Sequence, residues 1–172
     1  MKKAATFTGA ALAAATLVLA PSGGAASRAA PLDTHWLTLS ARTDLFEIAG
    51  ARIAATRATT PGAKELARVV ERDHATALNG AGRVARQVGL RLPGNPTATE
   101  HWELHVMTTL SGTQFDRMYT WLEESRHVEA VADAQEAAAR ASSPAVRAYA
   151  RSLLPILRAH LRMATAAKKA AG

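Results

Sequence analysis

Residues Thr60 to Gly89, TPGAKELARVVERDHATALNGAGRVARQVG, open on a Thr-Pro pair and close on glycine. A helix begins and ends in that way. A threonine oxygen can accept from a first-turn amide, and proline's fixed φ suits the first helical position, where its missing N–H is not needed. Between these ends Leu66, Val70, Ala77, Ala81, Val84 and Val88 fall on one stripe at helical spacing. The stretch therefore predicts a long amphipathic helix ending at Gly89. A helix of that kind must bury its stripe against other elements, so the flanking sequence decides what those elements are.

On the N-terminal side, Asp33 reads as an N-cap, no proline occurs from there to about Thr59, and Leu39, Phe46, Ala49 and Ile53 recur at helical intervals. This predicts a first helix. On the other side, Arg91 to Thr97 (RLPGNPT) holds two prolines and a Gly-Asn pair and must be a loop. Glu100 to Leu110 is a short helical piece, interrupted at Ser111 and Gly112 before a long third helix from Phe115 to about Ala141, with Phe115, Met118, Leu122 and Val131 apolar. Ser143 and Pro144 repeat the cap-and-proline signal. The fourth helix they open carries Val146, Tyr149, Leu153, Leu157, His160, Leu161 and Ala164 along one side, with Lys168 and Lys169 suiting its C-terminal end. Pro155 lies inside it and predicts a kink. The fold class that follows is all-α, an antiparallel four-helix bundle with a short extra helix before the third long one.

Composition agrees with one such domain. The 172 residues are 48% hydrophobic but only 5% aromatic, so the core must be built from closely approaching, alanine-rich helices. Cysteine is absent, which removes disulfides, thiol catalysis and Cys-based metal sites. The net charge is +7, and setting aside Lys2 and Lys3 leaves 19 basic against 14 acidic residues. Arginine is scattered along every long helix rather than massed in a stripe. Weak association with anionic cell-envelope components fits that distribution, and nucleic-acid binding is not expected.

Met1, Lys2 and Lys3 form a short cationic start, and Ala10 to Ala20 is an apolar run too short to span a bilayer. Pro21 to Ala26 then break the helix with small residues. Residues 1–26 read as a signal peptide cleaved near Ala26 or Ala29, residues 27–32 as a linker, and residues 33–169 as the bundle. The protein is expected to be exported, to an extracellular, periplasmic or envelope-associated location.

Chemistry rests on histidines placed where leucine is expected. His74 lies four residues after Val70 on the inward stripe of the second helix, and His160 follows Leu157 by three on the fourth. A buried imidazole needs a carboxylate, a carbonyl, water or a metal beside it. Glu71 precedes His74 by three and Glu124 precedes His127 by three, giving two E-x-x-H pairs. In carboxylate-bridged dinuclear bundles such pairs project inward with a glutamate from each of the other two helices. Glu47 can serve from the first helix. The fourth has Leu157 where a glutamate is needed, so the set is incomplete. Imidazole with carboxylate suits iron, copper or zinc, and no side chain selects among them. The same histidines also suit a structural role, bonded to Asp73, Glu47 or backbone, with Glu71 and Glu124 on solvated faces.

His101 and His105 are four apart on the short helix, without the glutamate directly after the first histidine that a zincin motif requires, and read as a surface turn. Trp36, Trp102 and Trp121 read as packing or edge residues. There is no Gly-rich phosphate loop and no serine nucleophile elbow, so phosphoryl transfer and hydrolysis have no support, and no catalytic residue is assigned.

The stretches LARVVERDH (Leu66 to His74), LSGTQFDRMY (Leu110 to Tyr119) and LPILRAHL (Leu154 to Leu161), together with His127, resemble the exported bacterial domain-of-unknown-function (DUF) 4142 family. The resemblance spans nearly the whole chain after the signal segment. It implies a ferritin-like four-helix bundle outside the cytoplasm, of no settled activity. Carried onto this sequence, the family's Asp-His pair falls on Asp73 and His74, its Phe-Asp on Phe115 and Asp116, and its later histidines on His127 and His160. The family usually has an apolar residue where this chain has Glu71. Metal ligands are thus expected among Glu47, Asp73, His74, Glu124, His127 and His160. The function expected is an exported bundle binding a transition metal through inward histidines and carboxylates, or alternatively a non-catalytic envelope module whose histidines hold the core. Fold likeness to ferritins does not confer ferroxidase activity.

Overall fold

The Thr-Pro and Ser-Pro signals for helix starts are used as written. Thr60 caps α2 (Pro61–Gln87), its side chain accepting from the Ala63 amide. Ser143 caps α5 (Pro144–Ala171), with Pro144 at its first position. Thr97 and Glu100 form a reciprocal capping box at α3 (Ala98–Thr109). α2 closes as expected at Gly89, whose positive φ of 67° lets the Gly89 and Leu90 amides turn back onto the carbonyls of Arg86 and Ala85. The computed structural model describes residues 29–172, so the expected signal peptide lies outside the described residues.

Three starts differ from the sequence reading, α3 beginning at Ala98 rather than Glu100. α1 runs Pro31–Arg57, beginning two residues before Asp33, and α4 runs Gly112–Arg140, beginning before Phe115. With Ala30 at the N-cap position, Asp33 falls inside the first turn instead of at the cap, and its buried carboxylate accepts from the amides of Ser142 and Ser143 at 2.7 and 2.9 Å. Rather than capping its own helix, this aspartate ties the start of α1 to the α4–α5 turn. Asp116 does the same at the opposite end, where its carboxylate accepts from the Thr59 amide and hydroxyl and the Thr60 amide in the α1–α2 turn. α5 continues as helix through Pro155.

These two ties define the topology. The start of α1 lies by the α4–α5 turn, and the α1–α2 turn lies by the start of α4, so α1 and α5 run one way and α2 and α4 the other. Neighbours in the bundle are α1–α2, α2–α5, α5–α4 and α4–α1, each pair antiparallel. The connection from α2 to α4 travels the bundle's length through residues 88–97 and α3, one long crossover as in ferritin-like bundles. α3 lies against α1, with Leu104 and Met107 in the core beside Phe46, and Arg126 of α4 holds it there. The Arg126 guanidinium stacks 3.7 Å above the Phe46 ring and pairs with Glu103 of α3.

The buried face of α1 includes Trp36, Leu37, Ala41, Asp44, Phe46, Glu47, Ala51 and Ala54. Of the stripe expected from the sequence only Phe46 is fully buried, while Leu39 is 37% exposed. Alanine surrounds this helix on all sides, so hydrophobic periodicity leaves its rotation underdetermined. The core falls into two apolar halves, one around Phe115, Leu66 and Phe46 and the other around Trp36, Val146 and Leu153. Between them lies a layer of buried polar side chains.

Candidate metal centre

Each long helix contributes to that layer from near its middle. α1 supplies Asp44 and Glu47, α2 His74 and, at its edge, Asp73, α4 Glu123 and His127, and α5 His160. The i, i+4 rhythm of α4 is what aims its members: Phe115, Tyr119, Glu123 and His127 form one inward column. The three histidines are 4%, 1% and 1% exposed, and their rings stand 5.1 to 5.5 Å apart.

The bonding pattern is specific. His74 Nδ1 donates to Asp44 Oδ1 at 2.8 Å, His127 Nδ1 donates to the Glu123 carbonyl at 2.8 Å, and His160 Nε2 donates to Asp73 Oδ2 at 3.0 Å. Every one of these partners is an acceptor, so the outer nitrogen of each neutral ring carries the hydrogen and the inner one carries a lone pair. The inner nitrogens face each other: His74 Nε2 and His127 Nε2 are 3.4 Å apart, and His127 Nε2 and His160 Nδ1 are 3.2 Å apart. Behind them sit Glu47 and Glu123, 1% and 2% exposed, grouped closely with His127. Both Glu47 oxygens, Glu123 Oε2 and the Tyr119 hydroxyl are buried without a hydrogen-bond partner.

Electrostatics separates the three rings. Burial drives the His127 pKa down to about 4, so this imidazole stays neutral at neutral pH. Burial also lowers His160, against the opposing pull of Asp73. At His74 burial acts the same way, but the hydrogen bond to Asp44 and the charges of Glu47 and Asp44 outweigh it and leave its pKa raised. Glu123 is pushed well above the usual carboxylate range by burial and by the neighbouring Glu47, both of which favour its protonated form.

Of the residues expected from the sequence, Glu47, Asp73, His74, His127 and His160 come together here. Asp73 stands behind His160 rather than facing the other rings, and Arg72 pairs with it at 2.7 Å. Glu124 is elsewhere. It accepts from Thr165 at 2.8 Å and pairs with Lys168 on the outer α4–α5 seam, because the inward column of α4 runs at intervals of four and reaches Glu123 instead. Glu71 pairs with Arg52 at the surface, and His101 and His105 are exposed. Three members escape the sequence reading: Asp44, Glu123 and Tyr119. The spacing of Glu123 four before His127, and of Asp44 three before Glu47, is the signal that could have found them.

The DUF4142 domain-of-unknown-function model matches residues 18–167. The chain belongs to the DUF4142 family. Among solved structures, the crystal structure of a DUF305 fragment from Deinococcus radiodurans superposes with a TM-score of 0.71, covering 83% of this DUF4142 chain and 98% of the fragment at 18% sequence identity. That likeness is one of fold alone. No curated protein matches the chain. No helix among the described residues of this DUF4142 protein is long and apolar enough to cross a membrane.

Proposed function

We propose that this DUF4142 protein is an exported bundle that holds one transition-metal ion, iron, copper or zinc, between His74, His127 and His160, and acts as a metal-holding protein rather than an enzyme. The observation that carries the reading is the convergence of three imidazole lone pairs whose opposite nitrogens are already anchored. Metal-bound histidines typically donate their other N–H to a carboxylate or carbonyl, which fixes the tautomer and aims the ring. Nitrogens bound tetrahedrally at about 2.0–2.1 Å from a metal stand about 3.3 Å apart, and the separations here are 3.4 and 3.2 Å. Glu47, whose carboxylate oxygens have no other partner, groups with Glu123 and His127 rather than with all three imidazoles and stands beside the centre as a buried acceptor. Glu124 and Glu71 have no part in it.

Elemental analysis of the protein purified without chelator or histidine tag tests this directly. About one equivalent of a single metal is expected, absent from the His74→Ala, His160→Ala double variant. Folded wild-type protein that takes up none of the three metals at stoichiometric level would end the proposal. Export is tested by sequencing the N-terminus of the protein recovered outside the cytoplasm, which is expected to begin just after Ala26 or Ala29.

One observation favours a second reading, a non-catalytic envelope module with structural histidines. With every outer nitrogen bonded, a single proton shared among the inner ones would also hold the layer together. Metal-free protein of full stability that binds cell-wall fractions in a salt-sensitive way would select this reading.

A further inference from the structure

The polar layer reaches solvent through a cleft beside α1 and α4. Half-exposed Leu39 and exposed Asp133 stand at its mouth, and the buried His74 and His160 line its depth. α3 covers α1 farther along, where Leu104 and Met107 lie over Gly50, so the α1–α4 seam is left open on the side of Leu39. The internal space is about 40 Å³. With roughly 10–15 Å³ of such space needed to hold one water, this admits a bare ion or about three waters.

Its charge is opposite to that of the chain. Setting aside Lys2 and Lys3, Lys and Arg outnumber Asp and Glu by 19 to 14, yet among the described residues no Lys or Arg lines the cleft, whereas Asp44, Asp133 and the Arg72-paired Asp73 do. Asp133 takes part in no ion pair among the described residues. Asp44 is 3% exposed and uses one oxygen to hold His74, while its other oxygen, Oδ2, is buried with no partner. A buried carboxylate oxygen left without a donor is costly unless something cationic visits it.

We infer that this cleft is the route by which the metal cation reaches the three-histidine centre, with Asp133 gathering it at the mouth and Asp44 Oδ2 passing it from solvent to the imidazoles. The inference rests on the metal-holding reading and adds to it the direction of access. A cation entering so narrow a space sheds most of its hydration shell, and carboxylate oxygens along the way replace the lost waters. Carboxylates spaced along a largely apolar cleft, with no Lys or Arg among its lining, also concentrate cations locally and speed their capture.

The test is the rate of zinc(II) uptake by metal-free protein, timed by chelator quench and metal analysis, for wild type, Asp133→Lys, Leu39→Arg and Glu136→Lys. Positions 39 and 133 are exposed mouth positions that can accept a charge without disturbing the core. Glu136 is an exposed residue of the same helix outside the cleft, so its variant controls for overall charge. The expected result is uptake at least tenfold slower in Asp133→Lys and Leu39→Arg at low salt, with final zinc stoichiometry unchanged. The slowing should shrink in high salt, and Glu136→Lys should load at the wild-type rate. Equal rates in all four proteins, with full loading, would overturn the route while leaving the centre standing. Wild type that never takes up zinc, iron or copper would overturn the metal-holding reading, and the route with it.

Discussion

His127 Nε2 lies 3.2 Å from His160 Nδ1 with no hydrogen available to either, because each ring has already committed its N–H outward, to the Glu123 carbonyl and to Asp73. Two lone pairs at that separation repel unless a cation sits between them. His127→Ala should therefore reduce metal affinity at least tenfold, whereas His105→Ala on the exposed face of α3 should leave it unchanged. Equilibrium dialysis of both variants gives the comparison. Metal added to wild type at about 100 times its Kd should raise unfolding stability by about 2.7 kcal/mol.

Acid should weaken the metal-free fold, and His127 gives the window. Its folded pKa is held down to about 4 against an ordinary value of 6.5. Between those values the unfolded chain binds the proton and the folded one refuses it. Stability is thus full above the unfolded pKa and falls as pH drops through the window, by about 3 kcal/mol for this group. His160, also lowered, adds to the fall, while the raised His74 opposes it. Urea midpoints measured from pH 7 to pH 4 should decline, and the slope should flatten in His127→Gln.

Glu123 has the opposite dependence. Its pKa is raised by burial and by Glu47, so the folded protein keeps a proton that the unfolded chain gives up above the ordinary carboxylate range. Stability from this group is lost as pH rises past that range. Glutamine is a neutral stand-in for the protonated acid, and Glu123→Gln is expected to change metal-free stability by less than about 1 kcal/mol at pH 5. At pH 8 the variant should be the more stable protein. Denaturation at the two pH values tests both statements.

Asp116 is fully buried and serves three donors of the α1–α2 turn. Asp116→Ala strands the amides of Thr59 and Thr60 and should cost about 3 kcal/mol, a sum of lost charged hydrogen bonds and unsatisfied donors. Thermal unfolding of the variant, with zinc uptake measured below its transition, should show lower stability and intact binding.

Gly80 of α2 faces the Tyr149 ring so closely that an added Cβ would lie 2.8 Å from Tyr149 Cε2. The ring has little room to retreat, because its hydroxyl donates to the Ala77 carbonyl at 2.6 Å and its edge meets Trp36. Gly80→Ala should destabilise by about 1–2 kcal/mol despite the roughly 1 kcal/mol by which alanine favours an isolated helix. A denaturation midpoint equal to or above wild type would show that Tyr149 is freer than its contacts imply.

The helices themselves are local objects, which is why Thr60-Pro61, Ser143-Pro144 and Gly89 mark their ends correctly in the bare sequence. A cap bonds to amides two or three residues away, and nothing distant is needed to read it. His74 and His160 are legible for a related reason: each interrupts an apolar stripe that is clear on α2 and α5. α1 and α4 offer no such stripe. There alanine dilutes the periodicity, so the bare pattern points to Glu124, which turns to Lys168, and hides the inward Asp44 and Glu123.

The sequence by itself determined the helix count and the presence of buried imidazoles, because those follow from backbone propensity, capping and periodicity within single segments. Only the tertiary structure decided which carboxylates stand behind which histidine, that Asp33 and Asp116 join distant turns and so set the helix directions, and that three inner nitrogens meet beside a cleft carrying Asp44 and Asp133. These are relations between side chains separated by tens of residues. They depend on the rotation of each helix about its own axis, and in an alanine-rich chain that rotation is settled by how four helices pack together rather than by the pattern on any one of them.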